Sequence, residues 1–358
     1  MSNLFNPLNV SSKFAICGLP LRLDTYSQCQ HDCTYCFSNH RQIGKKPKNK
    51  QPNIQWLKNK LTKVYDDKNI NKENFLETLL YDRITLHGGT MNDCFQPIEK
   101  TQQNTKKIVE LLNIYEQHIL FSTKTDKTYD VPLTPELHSF QLSISNLKNF
   151  MEKKVPRIDK RIQFYKQLKD KGYKVGIRIQ PYIPKITDVE QILNVFRDAD
   201  HYTIESLKLN PHTKEANNEI LHEANLKRED YKQQGLLTLK PEIRHQQYQN
   251  IIPLFEENGY SWSIADNDMH WMGNNLCCCG DKLINKQTFF HNTRMLKLYG
   301  NEYSLQCISD NIKGYENCKC STLFTSDRRE GCKTVKEFYN KRFDRKTSPF
   351  SPKYQYYV

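Results

Sequence analysis

No stretch of this sequence approaches the run of about 18 apolar residues that a membrane-crossing helix needs, and the mean hydropathy is −0.77. The start, Met1-Ser2-Asn3-Leu4-Phe5-Asn6-Pro7, lacks the basic stretch followed by an apolar one that marks a secretory leader. These two absences point away from a membrane protein and from an exported, disulfide-stapled one, and lead us to expect a cytoplasmic protein. Hydrophobic residues are lean at 37%, but 11% aromatics in a chain of 358 residues still suffice for one large domain or two ordinary ones, which excludes a wholly disordered chain. From residue 95 to 276 there is no cysteine, and from Arg41 to Tyr65 there is no acid.

What is present stands on either side of those gaps. Twelve cysteines are many for a reducing compartment, where close thiols are more often metal ligands than bridges. Three of them, Cys29, Cys33 and Cys36, fall within eight residues. Seven more, Cys277, Cys278, Cys279, Cys307, Cys318, Cys320 and Cys332, crowd the C-terminal part, and Cys17 and Cys94 stand alone.

The cysteine-free middle alternates short β-rich runs with longer amphipathic ones. Strands are predicted at 21–26, 83–87, 118–123, 140–144, 174–179, 202–207 and 261–264, with helices between them at 72–81, 105–117, 157–171, 188–197 and 241–258. The best helical stripe carries Ile158, Ile162, Tyr165 and Leu168, follows Pro156 and stops at Gly172. Six or seven βα units fit an open or partial (β/α) barrel, whose chemistry sits at the C-terminal ends of its strands. We therefore expect an α/β fold, a partial barrel of the (β/α)6 type over residues 1–270, followed by a Cys-rich extension over 271–358.

The segment Cys29-Gln-His-Asp-Cys33-Thr-Tyr-Cys36 directly follows the first predicted strand, where an active-site loop would lie. Three thiolates leave a four-iron cluster with one iron open to a ligand. They also leave a zinc knuckle one ligand short, a place that His31 or His40 would fill. In the C-terminal set, adjacent cysteines on an irregular segment are expected to point in different directions, so the triplet 277–279 should not converge on one ion. Cys277, Cys279, Cys307, Cys318, Cys320 and Cys332 are the candidate ligands of a second site, an iron-sulfur cluster or a zinc ion.

Cys-x3-Cys-x2-Cys with Tyr35 before its last cysteine, after the first strand of a βα body, resembles the signature of radical S-adenosylmethionine enzymes. The resemblance runs through His87-Gly88-Gly89-Thr90, Thr123-Lys124, Ser143 and the stretch from Asn149 to Pro181, in an order similar to the spore photoproduct lyase group. It implies that Cys29, Cys33 and Cys36 hold a [4Fe-4S] cluster whose open iron chelates S-adenosylmethionine. Tyr35, Gly88, Gly89, Thr90, Lys124, Ser143 and Arg178 would line the cofactor, with Lys124 near its carboxylate, and an external flavodoxin- or ferredoxin-type protein would supply the electron. The departures are Phe37, where that group has tyrosine, and Gly89, where it has its hydrogen-donating cysteine. Cys94 is the nearby thiol that would take the donor's place.

Eight Lys or Arg lie between Arg41 and Tyr65, with Trp56 among them, and a second basic stretch runs from Arg328 to Lys346. The first would guide a phosphate backbone towards the cluster loop, and Trp56 would stack on a base. The expected function is hydrogen abstraction from a nucleic-acid base or sugar, for repair or modification. The alternatives are a radical enzyme acting on a peptide or small metabolite, and a non-catalytic, zinc-stabilised nucleic-acid binder.

Overall fold

A computed structural model describes residues 3–11, 17–36, 38, 50–212, 214–234, 236–266, 268–275, 277–288, 312–319 and 332–342. Phe37, His40, Lys45, Lys46, Lys48, Cys307, Cys320, Arg328 and Arg329 lie outside the described residues.

The strands in chain order are β1 (Leu4–Phe5), β2 (Leu8–Val10), β3 (Leu21–Leu23), β4 (Gln51–Pro52), β5 (Leu86–Gly88), β6 (Ile119–Thr123), β7 (His138–Ser143), β8 (Val175–Tyr182), β9 (His201–Ser206), β10 (Lys208–Leu209), β11 (Tyr231–Gln234), β12 (Leu236–Leu239) and β13 (Trp262–Ile264). Eight of them form one sheet in the order β13-β9-β8-β7-β6-β5-β3-β2. From β3 to β13 every neighbouring pair is parallel, and β2 joins antiparallel at the edge. Each parallel strand lies beside the previous parallel strand in sequence, the winding of a (β/α) barrel; among the described residues the two edges do not meet, so the barrel is partial. The seven parallel strands fall where the alternation placed them. β2 was not foreseen, nor was the small antiparallel sheet β10-β12-β11.

Helices Phe75–Tyr81, Asn104–Ile114, Ile158–Asp170, Val189–Val195 and Pro241–Glu256 occupy the predicted intervals. Their starts are local chemistry: the side chains of Asn74 and Asp188 accept the backbone N–H of Glu77 and Gln191, three residues on. In Ile158–Asp170 the stripe differs from the expected one. Arg161, 1% exposed, takes its deepest place while Ile158 and Ile162 are half-buried. An ion pair with Glu152 and a hydrogen bond to the Ser143 carbonyl draw the guanidinium inward.

The strands have two unlike faces. Leu21, Leu86, Phe121, Phe140, Ile177, Tyr202 and Trp262 belong to the apolar cluster shared with the helices. Their neighbours Arg22, His87, Ser122, Gln141, Arg178, Thr203 and Ser263, one from each parallel strand, face the other way. A polar interior of this kind encloses a chamber rather than a packed core.

The chain beyond residue 270 begins by closing that chamber. The carbonyls of Cys277, Cys278, Cys279 and Leu283 accept hydrogen bonds from Ser263 (3.1 Å), Thr203 (2.5 Å), Gln141 Nε2 (3.1 Å) and Ser139 (2.6 Å). Thr288 N donates to the Gly18 carbonyl at 2.9 Å. Residues 277–288 thus cross the N-terminal ends of the strands as a floor.

Candidate active site

The chamber is a cavity of about 330 Å³. Cys29, Cys33, Cys36, Tyr35, Gly89, Thr90, Lys124, Ser143 and Arg178 line it, together with Cys17, Cys278 and Cys279 from the floor. The cluster-loop cysteines and part of the C-terminal triplet therefore open on one space, although nearly 250 residues separate them in sequence.

The loop 29–36 is held by neighbours on three elements. Gln30 N donates to Gln96 Oε1 at 2.8 Å, and Gln96 Nε2 donates back to the Gln28 carbonyl at 2.8 Å. Thr34 N donates to the Met151 carbonyl at 3.1 Å. His31 is buried with Nε2 at 3.1 Å from Asp93 and Nδ1 at 3.3 Å from the Lys154 carbonyl. Burial opposes charge on His31, but the Asp93 carboxylate outweighs it and holds the imidazole above its ordinary value. With both ring nitrogens engaged, His31 is not placed to complete a zinc knuckle. The thiols of Cys29 and Cys33 are pushed up to about 12, mainly by burial, so they are protonated at neutral pH, and a metal bound there would have to displace those protons.

The glycine-rich turn is organised by a residue that the sequence did not flag. Asp24, just after β3, accepts from Thr90 Oγ1 (3.1 Å), Met91 N (2.9 Å) and Asn92 Nδ2 (3.2 Å). Gly89 has φ +80°, and a Cβ there would lie 2.3 Å from the Ser122 carbonyl oxygen, so a side chain is excluded on two counts. Gly88 instead turns towards the core, where a Cβ would press on the Phe121 ring at 2.7 Å. Asp93 accepts from Thr123 Oγ1 (2.8 Å) and Lys124 N (2.7 Å), tying the turn to the end of β6.

Lys124 Nζ donates to Ser143 Oγ at 2.8 Å and pairs with Glu152 at 2.7 Å. Glu152 also takes Arg161 at 2.6 Å and the hydroxyl of Tyr35, whose ring lies 5.4 Å from Lys124 Nζ. Burial alone would raise Glu152; Lys124 and Arg161 outweigh it and hold the carboxyl down to about 2. Tyr35, Lys124 and Ser143 are thus brought together through the carboxylate of Glu152, which lies in the stretch from Asn149 to Pro181 but is assigned no role by sequence. Arg178 projects from β8 and donates to Gln141 at 3.2 Å.

Cys94 is placed differently from the expectation of a hydrogen donor. It is 1% exposed, belongs to the apolar core with its thiol beside Thr25, and is not among the cavity-lining residues. Trp56 is likewise half-buried against the core, with Lys60 over its ring at 5.9 Å, so its face is not an open stacking platform. Lys60 and Lys63 are paired with the buried carboxylate of Glu77, which leaves Lys50 and Lys58 as the described part of the basic run outside those pairs.

The C-terminal cysteines divide. Cys277, Cys278 and Cys279 have Sγ atoms all within 4.8 Å of one another, which corrects the expectation that adjacent cysteines diverge. The cause is the pinning of their three carbonyls to different strands, followed by a turn at Gly280 with φ +84°, where the His201 ring fills the Cβ position. Cys318 packs elsewhere, with its Sγ at 3.2 Å from the Lys72 carbonyl, and Cys332 is buried in the same apolar cluster as Cys318.

Set beside known proteins, the chain is matched by no family model. An uncharacterised protein of Methanocaldococcus jannaschii is 25% identical over 192 residues, which are 49% of this chain and 65% of that protein. A cysteine-to-alanine mutant of spore photoproduct lyase shares 16% identity at a TM-score of 0.51, covering 73% of this chain and 81% of the other. A cysteine-to-serine mutant of the same enzyme gives 16% and 0.50, covering 69% and 76%. At such identity the likeness is one of fold, and the expected fold, the partial barrel of the spore photoproduct lyase group, is the one this chain has. No helix among the described residues is long and apolar enough to cross a membrane.

Proposed function

We propose that this chain is a radical S-adenosylmethionine enzyme of the spore photoproduct lyase-like kind, acting on a nucleic-acid base or sugar. The observation that carries the reading is the opening of Cys29, Cys33 and Cys36 on the chamber lined by Gly89, Lys124, Ser143 and Arg178. The donor set fits a [4Fe-4S] cluster: the loop supplies three thiols, and its own histidine is engaged by Asp93. When bound, the cluster with S-adenosylmethionine supplies one-electron cleavage of the sulfonium and hydrogen abstraction by the deoxyadenosyl radical.

The chain's part is to bind, orient and exclude. Cys29, Cys33 and Cys36 would each hold one iron. The Gly89–Asn92 turn, fastened by Asp24, would offer backbone to the cofactor's amino end. Lys124, positioned by Ser143 and Glu152, offers a cation to its carboxylate, although Glu152 already offsets part of that charge. Residues 277–288 seal the floor against water. Cys94 has no role in this scheme.

A nucleic-acid substrate is supported by the acid-free run, of which Arg41, Lys45, Lys46, Lys48, Lys50 and Lys58 remain after Lys60 and Lys63 are assigned to Glu77. The test is anaerobic reconstitution with dithionite and S-adenosylmethionine, scored by release of 5′-deoxyadenosine with and without DNA or RNA. Cleavage stimulated by nucleic acid is expected. Cleavage that is indifferent to it would move the substrate to a peptide or metabolite, and no cleavage from a reduced, iron-loaded chain would end the radical reading.

A further inference from the structure

We infer that the floor of the chamber is a mononuclear thiolate metal site of the zinc class, built from Cys277, Cys278 and Cys279 and completed by Cys17. The inference goes beyond the radical chemistry and does not rest on it. Among the described residues these three form the one group of three or more metal-ligating side chains whose ligand atoms all approach within 4.8 Å; Cys29, Cys33 and Cys36 are not such a group. Zn–S bonds of about 2.3 Å put the sulfurs of a tetrahedral site about 3.8 Å apart, so a contraction of about 1 Å at most gathers the triplet around a single ion. A four-iron cluster places each thiolate on its own iron, and the cube holds the sulfurs apart. The close set suits one ion.

Cys17 lies outside that 4.8 Å group, and its Sγ donates to the Leu19 carbonyl at 3.3 Å; it is the neighbouring thiol that would turn in as fourth ligand. It packs in the same small cluster as Cys277, Cys278 and Cys279. At the next residue, Gly18, a Cβ would lie 3.1 Å from Cys277 Sγ and 2.8 Å from Gln287 Oε1, which places this segment against the triplet. The Arg178 guanidinium is within electrostatic reach of Cys17, Cys278 and Cys279, and so offsets the surplus negative charge of four thiolates on a divalent ion. The backbone is already set, since the three carbonyls of the triplet are hydrogen-bonded to β7, β9 and β13. Metal here would tie residue 17 to residues 277–279 and fasten the open end of a barrel that its own strands do not close.

The test counts zinc in a full-length chain carrying Cys29→Ser, Cys33→Ser and Cys36→Ser, so that neither iron nor the radical reading enters the measurement. Adding Cys277→Ser and Cys278→Ser should lower zinc by one equivalent per chain. An unchanged zinc content would overturn the assignment. So would loss of iron when Cys277 and Cys278 alone are replaced in the otherwise wild-type chain, because the triplet would then be holding a cluster. If those variants do not fold, the readout is the Co2+-loaded chain, with and without Cys17→Ser. Exchange of one sulfur for oxygen should shift the cobalt d–d bands to higher energy, and an unshifted spectrum would remove Cys17 from the site.

Discussion

Two cysteine triplets border one chamber, the first with all three members and the second with Cys278 and Cys279, and they differ in spacing, in support and in depth. Cys29, Cys33 and Cys36 ride on a loop after β3, with three and two residues between them, and the loop is steadied by groups from elsewhere: the Gln96 and Asp93 side chains and the Met151 carbonyl. Cys277, Cys278 and Cys279 are consecutive, and it is their own backbone that is fastened, carbonyl by carbonyl, to three strands. The first set spreads at the C-terminal ends of the strands, where a polynuclear group with an open position can sit. The second converges at the floor. Thiol number alone does not set the geometry of a site; the anchoring of the backbone sets the distance between sulfurs, and the two metal assignments proposed above rest on that distance.

The largest test of this contrast is Cys33→Ala, which should abolish iron loading and all S-adenosylmethionine cleavage, measured by iron analysis and by 5′-deoxyadenosine. Retention of a full iron complement would erase the distinction between the two triplets. Next in size is Glu152→Gln. Removing the carboxylate between Lys124 and Arg161 leaves two buried cations without their partner, and should cost about 3–5 kcal/mol in denaturant unfolding. The folded-state carboxyl is held at about 2 against an ordinary 4.5. Its stabilisation is therefore complete above about pH 4.5 and is lost as pH falls towards 2; the Gln variant should flatten that acid limb.

Smaller effects separate the two ends of the chamber. Gly89→Ala and Gly280→Ala each force a side chain onto a left-handed backbone, against the Ser122 carbonyl and the His201 ring respectively, and each should cost about 1–3 kcal/mol. Gly89→Ala should also weaken S-adenosylmethionine binding, whereas Gly280→Ala should leave it unchanged and lower zinc retention. Calorimetry with the ligand and metal analysis read these out separately. The smallest change is expected from replacing Lys45, Lys46, Lys48 and Lys50 together by Ala. Nucleic-acid affinity should drop and its dependence on salt should become shallower, because fewer counterions are released. An unaltered salt slope would detach the basic run from the substrate.

The parallel strands and the helices between them were readable because their signals are local: β-rich runs, helical stripes, Asn and Asp caps, and Gly172 as a stop. The loop 29–36 could be singled out because three cysteines within eight residues carry their own spacing, and the structure sets all three on the chamber. Asp24, Glu152 and Asp93 were not. None was given a role, though Glu152 lies in the stretch from Asn149 to Pro181; the importance of each comes from partners 60 or more residues away (Thr90, Met91 and Asn92 for Asp24; His31 for Asp93), or from a burial that only the fold creates (Glu152). Cys94 and Trp56 misled for the converse reason. Proximity in sequence to a loop or a charged run says nothing of the side a residue faces, and both face inward.

By itself, then, the amino-acid order determined the β/α winding and the place of the first cysteine loop, since both depend on interactions between near neighbours. Tertiary structure decided which thiols share a space. Cys17 and Cys277 are 260 residues apart, and they join one small apolar cluster because an incompletely closed barrel leaves a floor to be filled and the chain beyond β13 returns across it. Such a contact follows from the backbone hydrogen bonds that the strand ends offer, which local patterning does not encode.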